Sequence, residues 1–520
     1  MIHPSQLPLI PLPNGRANVE LERMPLPKTL CADAGPFEPA YLKVFARRAG
    51  VALGGAGPAV LRCAKNEGFP AESYRLKVSR ERGIQIEAAD GRGLCWALTT
   101  LAALRDENGV PYCDIVDAPR FGHRGILLDS VRHFFPVGVV KELIETLSMA
   151  KINVLHWHLS DDQGWRVESK RFPQLHEQCA PDYYTQDEIK DIVAFALARG
   201  VEIIPEIDLP GHTTSILAAY PGLSCSGKRV ALGKGWGIYA IILCPGKDEV
   251  FDFLLPLLEE IAALFPSERF HLGGDEAPKG EWKACERCQK RMRTEGLANE
   301  EELQGWFTAR LADHMRGLGK RVICWNESLQ DAGLREKAPD LIGQYWAEMR
   351  KEGPTRRFWE RGGELIFSDY LGTYLDQPHG TVQLKQTYAY GPGLPGRGRN
   401  DYPALGLEAC LWTEYIPDRE KLALQAFPRA YALAEAAWTQ PLKKDYGQFR
   451  GRLALWLARR PGMGFTPPEQ ADMGLRQRWR ERKAFLLMQK NAPKPENSAK
   501  LDEGGFNPAF FTRWLKSLFS

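Results

Sequence analysis

From residue 121 onward the chain repeats one pattern, a short apolar run followed by an amphipathic helical run. The apolar runs at 125–129, 153–159, 201–207, 270–273, 321–325, 341–346, 364–368 and 407–412 read as strands buried on both faces. Strand–helix alternation makes neighbouring strands parallel, because each helix returns the chain to the same end of the sheet. Eight such units is the number at which a parallel sheet closes, so the expected fold is α/β with a (β/α)8 barrel. The helices are well marked in places. Thr185 and Glu188 form a capping-box pattern, Ile189, Ile192, Val193, Ala196 and Leu197 follow on one face, and Gly200 ends the run. Residues 301–318 show similar periodicity. The helical signal weakens between the sixth and eighth strands, where 391–400 is a Gly/Pro-rich stretch expected as a surface loop, with a mobile rim of a site as the alternative.

A chain of 520 residues exceeds one ordinary core. Residues 1–118 mix short strand-like runs with a helical run at 93–104, which predicts a small α+β domain ahead of a barrel at 119–450. After about 451 the chain is basic and helical to 520, with a polar, Pro-containing linker or loop at 491–505. Phe511, Trp514, Leu515 and Leu518 recur at helical spacing. Docking against the protein's own surface is the expected role of that face, ahead of an oligomer contact and of membrane association.

With 44% hydrophobic and 26% charged residues the composition is globular, and a formal net charge of +3 excludes nucleic acid as the expected partner. A neutral or mixed small molecule fits better. The first residues lack a basic segment and an unbroken apolar run, so no secretory signal is read and the cytoplasm is the expected compartment. Apolar stretches elsewhere are cut by charges or proline before they could span a bilayer. Eleven scattered cysteines argue against a disulfide framework. Cys285-Glu286-Arg287-Cys288 is a lone CxxC with no second pair at zinc spacing, and structural thiols are expected there rather than a metal.

Barrels of this kind place their chemistry at the C-terminal ends of the strands. At the fourth, His271-Leu272-Gly273-Gly274-Asp275-Glu276, two glycines let the backbone bend and two adjacent carboxylates follow. The other ends supply Arg132, Asp161 with Asp162, Asp208 with His212, Trp325 with Glu327, Trp346, Tyr374 with Asp376, and Trp412 with Glu414. Acids, an arginine and aromatic faces suit a sugar: rings stack on its apolar face while charged groups take its hydroxyls.

Four ordered motifs carry a specific resemblance. Arg124-Gly125-Ile126-Leu127-Leu128-Asp129 with Arg132-His133-Phe134, His156-Trp157-His158-Leu159-Ser160-Asp161-Asp162-Gln163-Gly164-Trp165, Glu206-Ile207-Asp208-Leu209-Pro210-Gly211-His212 and the Gly-Gly-Asp-Glu exit together resemble glycoside hydrolase family 20, the β-N-acetylhexosaminidases. The resemblance covers most of residues 1–440. It implies a retaining exo-hydrolase of terminal β-linked N-acetylglucosamine or N-acetylgalactosamine that uses no protein nucleophile, no metal and no cofactor, the substrate's own acetamide attacking the anomeric carbon. By the same resemblance Glu276 is the general acid, a role that needs a pKa lifted toward neutrality, and Asp275 stays ionised against the acetamido N–H. His212 and Asp208 are the pair behind the acid, with Asp161 in the same network. Arg132 clamps the 3- and 4-hydroxyls with Glu414 as acidic counterpart. Trp325, Trp346 and Trp412 box the ring and its acetamido methyl, Tyr374 donates to the acetamido oxygen, and Asp376 takes a hydroxyl or the acetamide. Asp369 and Tyr370 compete for those last two positions. His156 and His158 share a strand face and are expected to pack or hydrogen-bond rather than hold zinc.

Two features depart from the pattern. Asn326 stands where many members carry Asp, which puts the leaving-group side in question, and the C-terminal extension is not accounted for. Two other readings remain open. A glycosidase with a protein nucleophile requires carboxyls about 5–5.5 Å apart on opposite faces of the sugar; a sugar-binding barrel without catalysis would bind ligand and not turn it over. Oligomeric state is open, a homo-oligomer included.

Overall fold

The computed structural model describes residues 1–55, 60–179, 181–331, 333–347, 353–394, 403–459, 465 and 473–494. Eight strands close a parallel barrel in chain order: β1 (His123–Asp129), β2 (Val154–His158), β3 (Glu202–Glu206), β4 (Arg269–His271), β5 (Arg321–Trp325), β6 (Ile342–Tyr345), β7 (Glu364–Phe367) and β8 (Ala404–Leu411), which pairs back onto β1. Each expected strand is present, usually a residue or two shorter at its exit. Leu159 and Ile207 are apolar like the strands they follow and still make backbone bonds to the neighbouring strands, to Glu206 O at 3.2 Å and His271 O at 3.1 Å.

Within the barrel, side chains alternate between interior and outer helices. Val154, Ile204, Ile323, Ile342 and Ile366 fill an apolar interior layer. Above it lies a polar layer, in which His156 Nδ1 meets Glu408 Oε1 at 2.8 Å and the Gln344 amide donates to the same oxygen at 2.6 Å. Leu127, Trp325, Tyr374 and Cys410 cluster toward the mouth. Polar groups so deep in the barrel are tolerable only because they are paired.

The expected caps form: Thr185 and Glu188 make both capping-box bonds at the start of the helix Gln186–Leu197, and Asn299 caps Glu300–Gly317. Ahead of the barrel, a six-stranded sheet carries the helices Ala40–Ala49 and Gly91–Leu104. This unit is fixed to the bottom of the barrel by Glu72. Its carboxylate accepts from Arg124 Nη2 at 2.5 Å, Asn153 Nδ2 at 2.8 Å and Trp96 Nε1 at 2.8 Å.

The helix Tyr446–Arg459 crosses the expected boundary at 450 and belongs to the barrel wall, with buried Arg452 paired to buried Glu435 and Trp456 packed near Tyr431. Beyond it the helix Leu475–Asn491 lies against the mouth. Gly380 N–H donates to Glu481 at 3.0 Å, Arg482 Nε donates to Gly380 O at 2.7 Å, and the rings of Tyr415 and Phe485 are 5.4 Å apart. Trp236 N–H donates to Pro493 O at 2.9 Å just past the helix. The apolar face at 511–518, most of the linker at 491–505 and most of the loop at 391–400 lie outside the described residues. No described helix is long and apolar enough to cross a membrane.

The CxxC pair departs from expectation. Cys285 and Cys288 are not alone, because Cys225 and Cys244 from the connection between β3 and β4 bring their sulfurs within 4.8 Å of them.

Candidate active site

The exit of β4 is built on glycines that nothing else could replace. Gly273 has φ +63°, and a Cβ there would lie 1.8 Å from Asp208 Oδ1; Gly274 has φ +101°, and its Cβ would lie 2.0 Å from Ser328 Oγ. The bend they permit sends Asp275 and Glu276 out at the mouth. Glu276 itself holds φ +47°, a conformation a side-chain-bearing residue adopts only under restraint. The restraint is visible: its backbone N–H donates to Glu327 Oε2 at 2.6 Å. Gln304 Nε2 fastens the preceding turn by donating to Gly274 O at 2.7 Å.

Behind the two acids stands His212, with Nε2 at 3.6 Å from Glu276 Oε2 and 3.9 Å from Asp275 Oδ2. Its Nδ1 lies 3.3 Å from Asp161 Oδ1 and 3.2 Å from Asp162 Oδ2. Burial works against its charge, but Asp161, with Asp162 and Glu276, raises the imidazole well above its ordinary range. Asp208 lies beside His212, within 4.8 Å of it, but is not among its hydrogen-bond partners. Among the described residues, the carboxylates bonded to His212 Nδ1 come from the loop after β2, because Asp208 turns toward the glycine exit and accepts from Gly274 N–H at 2.8 Å. Burial, then the charge of Asp275, pushes Asp208 well above the usual carboxylate range.

Arg132 is held rigidly. Nη1 reaches Asp129 Oδ2 at 3.0 Å, Nη2 reaches Asp161 Oδ2 at 2.6 Å, Nε donates to Gln163 Oε1 at 3.2 Å, and the guanidinium lies 5.1 Å from the Trp412 ring centroid. Burial opposes the ionisation of Asp161, but Arg132 and His212 outweigh it and keep Asp161 well below the usual range. Asp161 thus touches Arg132, His212 and, at 3.0 Å, His158 Nε2. His158 Nδ1 continues to Glu206 at 2.5 Å, and Glu206 also takes Trp325 Nε1 at 2.8 Å and His271 Nδ1 at 3.0 Å. His156 and His158 are interior and bonded to carboxylates, as their shared face implied.

The aromatic residues Trp325, Trp346, Tyr370, Tyr374 and Trp412 gather in one cluster at the barrel mouth. Trp325 and Trp412 are 6.0 Å apart between centroids, and Trp346 and Tyr374 6.3 Å. Tyr374 is set by the sheet, since its segment pairs with Cys410 and Leu375 N–H donates to Cys410 O at 2.8 Å. Of its competitors, Asp369 spends its carboxylate on Leu371 N–H at 2.9 Å, while Tyr370 packs 5.1 Å from the Tyr374 ring. Asp376 and Glu414 repel one another; burial raises both, and Arg132 pulls Glu414 back down. Among the described residues, Asp275 Oδ1, Asp376 Oδ1, Glu327 Oε1 and Trp346 Nε1 are buried with no hydrogen-bond partner. Polar atoms left so are costly unless a ligand completes them.

Asn326 turns to the neighbouring strand exit. Its Oδ1 accepts from Trp346 N–H at 3.0 Å and its Nδ2 donates to Ala347 O at 2.8 Å, so it ties the exit of β5 to that of β6. Asp could not make the second bond. Burial, reinforced by Glu276 and Glu206 against His212, raises Asp275 to about 6. Burial with the charges of Glu276 and Asp275 raises Glu327 to about 8.

The sequence placed Asp162 and Glu327 at strand ends and Asp129 within a motif, but gave none of the three a role. Asp129 and Asp162 adjoin residues it did select, and Glu327 follows Trp325 by two, so position at a strand exit was the available signal.

The fold and site define a (β/α)8 barrel with adjacent carboxyls and an aromatic cluster at its C-terminal mouth. Residues 121–441 match the model of the glycosyl hydrolase family 20 catalytic domain, and 38–118 match that family's domain 2. The chain belongs to glycosyl hydrolase family 20. It is 38% identical over 420 residues to a β-hexosaminidase of Porphyromonas gingivalis, covering 74% of this chain and 52% of that one. It thus spans about half the length of that relative. A family 20 exo-β-N-acetylglucosaminidase from Vibrio harveyi, solved with N-acetylglucosamine, superposes with a TM-score of 0.78 at 30% identity over 89% of this chain and 78% of that one. A β-N-acetylhexosaminidase from Bacteroides fragilis gives the same TM-score and identity, covering 89% of this chain and 97% of that one.

Proposed function

We propose that this chain is an exo-acting, retaining β-N-acetylhexosaminidase that removes terminal β-linked N-acetylglucosamine or N-acetylgalactosamine from a glycan by substrate-assisted catalysis. The observation that carries the reading is the Asp275–Glu276 pair, one buried oxygen of Asp275 unpartnered, at the same barrel mouth as the aromatic cluster of Trp325, Trp346, Trp412 and Tyr374. The relatives' names support the substrate class.

With the sugar at that mouth, Asp275 accepts the acetamido N–H and Tyr374 donates to the acetamido oxygen, which fixes the oxygen beneath the anomeric carbon. Such positioning contributes several of the about 7–11 kcal/mol available to ideal proximity. The oxygen attacks, the glycosidic C–O bond breaks, and the Glu276 proton passes to the departing oxygen. The resulting oxazolinium bears positive charge beside Asp275. Water then attacks the anomeric carbon, the oxazolinium bond from that carbon to the acetamido oxygen breaks to restore the acetamide, and the water gives a proton to Glu276, with His212 tuning that carboxyl from behind. Arg132 and Glu414 take outer hydroxyls. Nothing in these steps calls for a metal or a cofactor.

The test compares nitrophenyl β-N-acetylglucosaminide with the plain β-glucoside and the β-N-acetylgalactosaminide, with a thiazoline mimic of the oxazolinium as inhibitor. Turnover confined to acetamido sugars and thiazoline inhibition are expected. Equal turnover of the plain glucoside would overturn the mechanism, and binding without turnover would overturn the activity.

A further inference from the structure

Four cysteines meet beside the loop that carries the two acids. Cys225 and Cys244 lie between β3 and β4, while Cys285 and Cys288 stand at the start of the helix Glu286–Glu295. The sulfurs of Cys244 and Cys288 are 3.5 Å apart, those of Cys225 and Cys288 3.8 Å, and those of Cys244 and Cys285 3.8 Å; all four lie within 4.8 Å of one another. A disulfide holds its sulfurs about 2.05 Å apart. Four thiolates around Zn2+, with Zn–S about 2.3 Å, form a tetrahedron with edges of about 3.8 Å. The observed spacing is that of a single-ion tetrahedron, and it is too tight to enclose an iron–sulfur cluster.

We propose that Cys225, Cys244, Cys285 and Cys288 form a structural tetrathiolate zinc site that clamps the loop after β3 to the loop after β4.

The surroundings are those of a closed site. Ile242, Ala277, Trp282, Met292 and Leu303 form a buried apolar shell of their own, separate from the main core. Four protein ligands with no open position mark a structural rather than a catalytic zinc. The turn after Cys244 meets the CxxC turn backbone against backbone: a Cβ on Gly246 would lie 2.4 Å from both Arg287 C and Cys288 N, so glycine alone allows the approach. Lys247, buried with its ammonium on the carbonyls of Gly222 and Ser224 at 2.6 and 2.5 Å, brings positive charge near a site whose four thiolates exceed the charge of one Zn2+.

The clamp bears on the catalytic residues from both sides. Trp282 Nε1 donates to Leu243 O at 2.9 Å, joining the loops next to the sulfurs. Leu243 N–H donates to Pro210 O at 3.3 Å, two residues before His212. Ala277, in the apolar shell, directly follows Glu276.

The experiment is elemental analysis of the full chain purified without added chelator or an affinity metal, then dialysed in buffer with trace zinc. One zinc per chain is expected. Growth with cobalt should give the thiolate-to-cobalt charge-transfer bands of a tetrahedral sulfur site. The double variant Cys285→Ser/Cys288→Ser should lose the zinc and melt at lower temperature. Metal-free wild-type protein would overturn the proposal, whether denaturing thiol titration finds eleven free thiols or disulfides among these four. Metal that survives in the double variant would overturn the assignment of ligands. If the double variant does not fold, the zinc content and cobalt spectrum of the wild type decide alone. None of these readouts depends on glycosidase activity.

Discussion

The backbone N–H of Glu276 donates to Glu327 Oε2 at 2.6 Å, so one acid pins the peptide of another in a left-handed turn. Glu327→Gln keeps an accepting oxygen and removes the charge, whereas Glu327→Ala removes the latch. The alanine variant is expected to lose about 10²-fold in kcat, as misplacement of a reacting group does, and the glutamine variant distinctly less. Steady-state kinetics of the two decide this, and equal activity of the alanine variant and wild type would refute it.

The pH profile should be bell-shaped. Asp275, raised to about 6, must be ionised to meet the acetamide, so the rate climbs with pH through about 6. Glu327, raised to about 8, adds a second negative charge beside ionised Asp275 when it loses its proton, so the rate falls through about 8. The sign for stability follows from the same shifts. Both folded-state values exceed those of the unfolded chain, about 3.9 and 4.3, so the folded state holds the extra protons. That contribution is full below the unfolded values and is lost as pH rises through about 6 for Asp275 and about 8 for Glu327. Melting curves of Glu327→Gln should fall less than wild type between about pH 5 and about pH 9.

Asp275→Asn should lower kcat about 10²–10³-fold, the scale seen when one group facing developing charge is removed. Glu276→Gln should cost about 10²–10⁴-fold on substrates with a poor leaving group and less with nitrophenolate, which departs without a proton. Comparing the two substrates separates the roles. A leaving-group effect at Asp275 but none at Glu276 would exchange the assignments.

Arg132→Lys should behave as a severe change. A lysine ammonium cannot serve Asp129 Oδ2, Asp161 Oδ2 and Gln163 at once in a fixed plane. KM is expected to rise at least tenfold, and because Asp161 also bonds His212, the acid limb of the pH profile should move as well. Unchanged KM would show that Arg132 only braces the loop.

The barrel was legible because its strands are buried on both faces, which leaves apolar runs such as Arg321–Trp325 nearly unmixed. Their exits were less legible, since Leu159 and Ile207 are as apolar as the strands they end. The carboxyl pair after Gly273-Gly274 stood out locally. What sequence could not supply were partners brought by other loops. His212 lies four residues from Asp208 yet bonds Asp161 and Asp162, some fifty positions earlier. The CxxC motif likewise finds Cys225 and Cys244 only in space, 63 and 41 positions away from its own cysteines. The partners of Asn326, Trp346 and Ala347, likewise belong to another strand exit.

The helix Leu475–Asn491 and the residues just after it touch the loop after β7 at Gly380, the loop after β8 at Tyr415 and the loop after β3 at Trp236. Those loops also bear Asp376, Glu414 and His212. A segment that contributes no reacting group therefore builds part of the parapet around the entrance. Alterations within 475–494 can reshape how far a long or branched ligand protrudes, and leave the carboxyls below untouched.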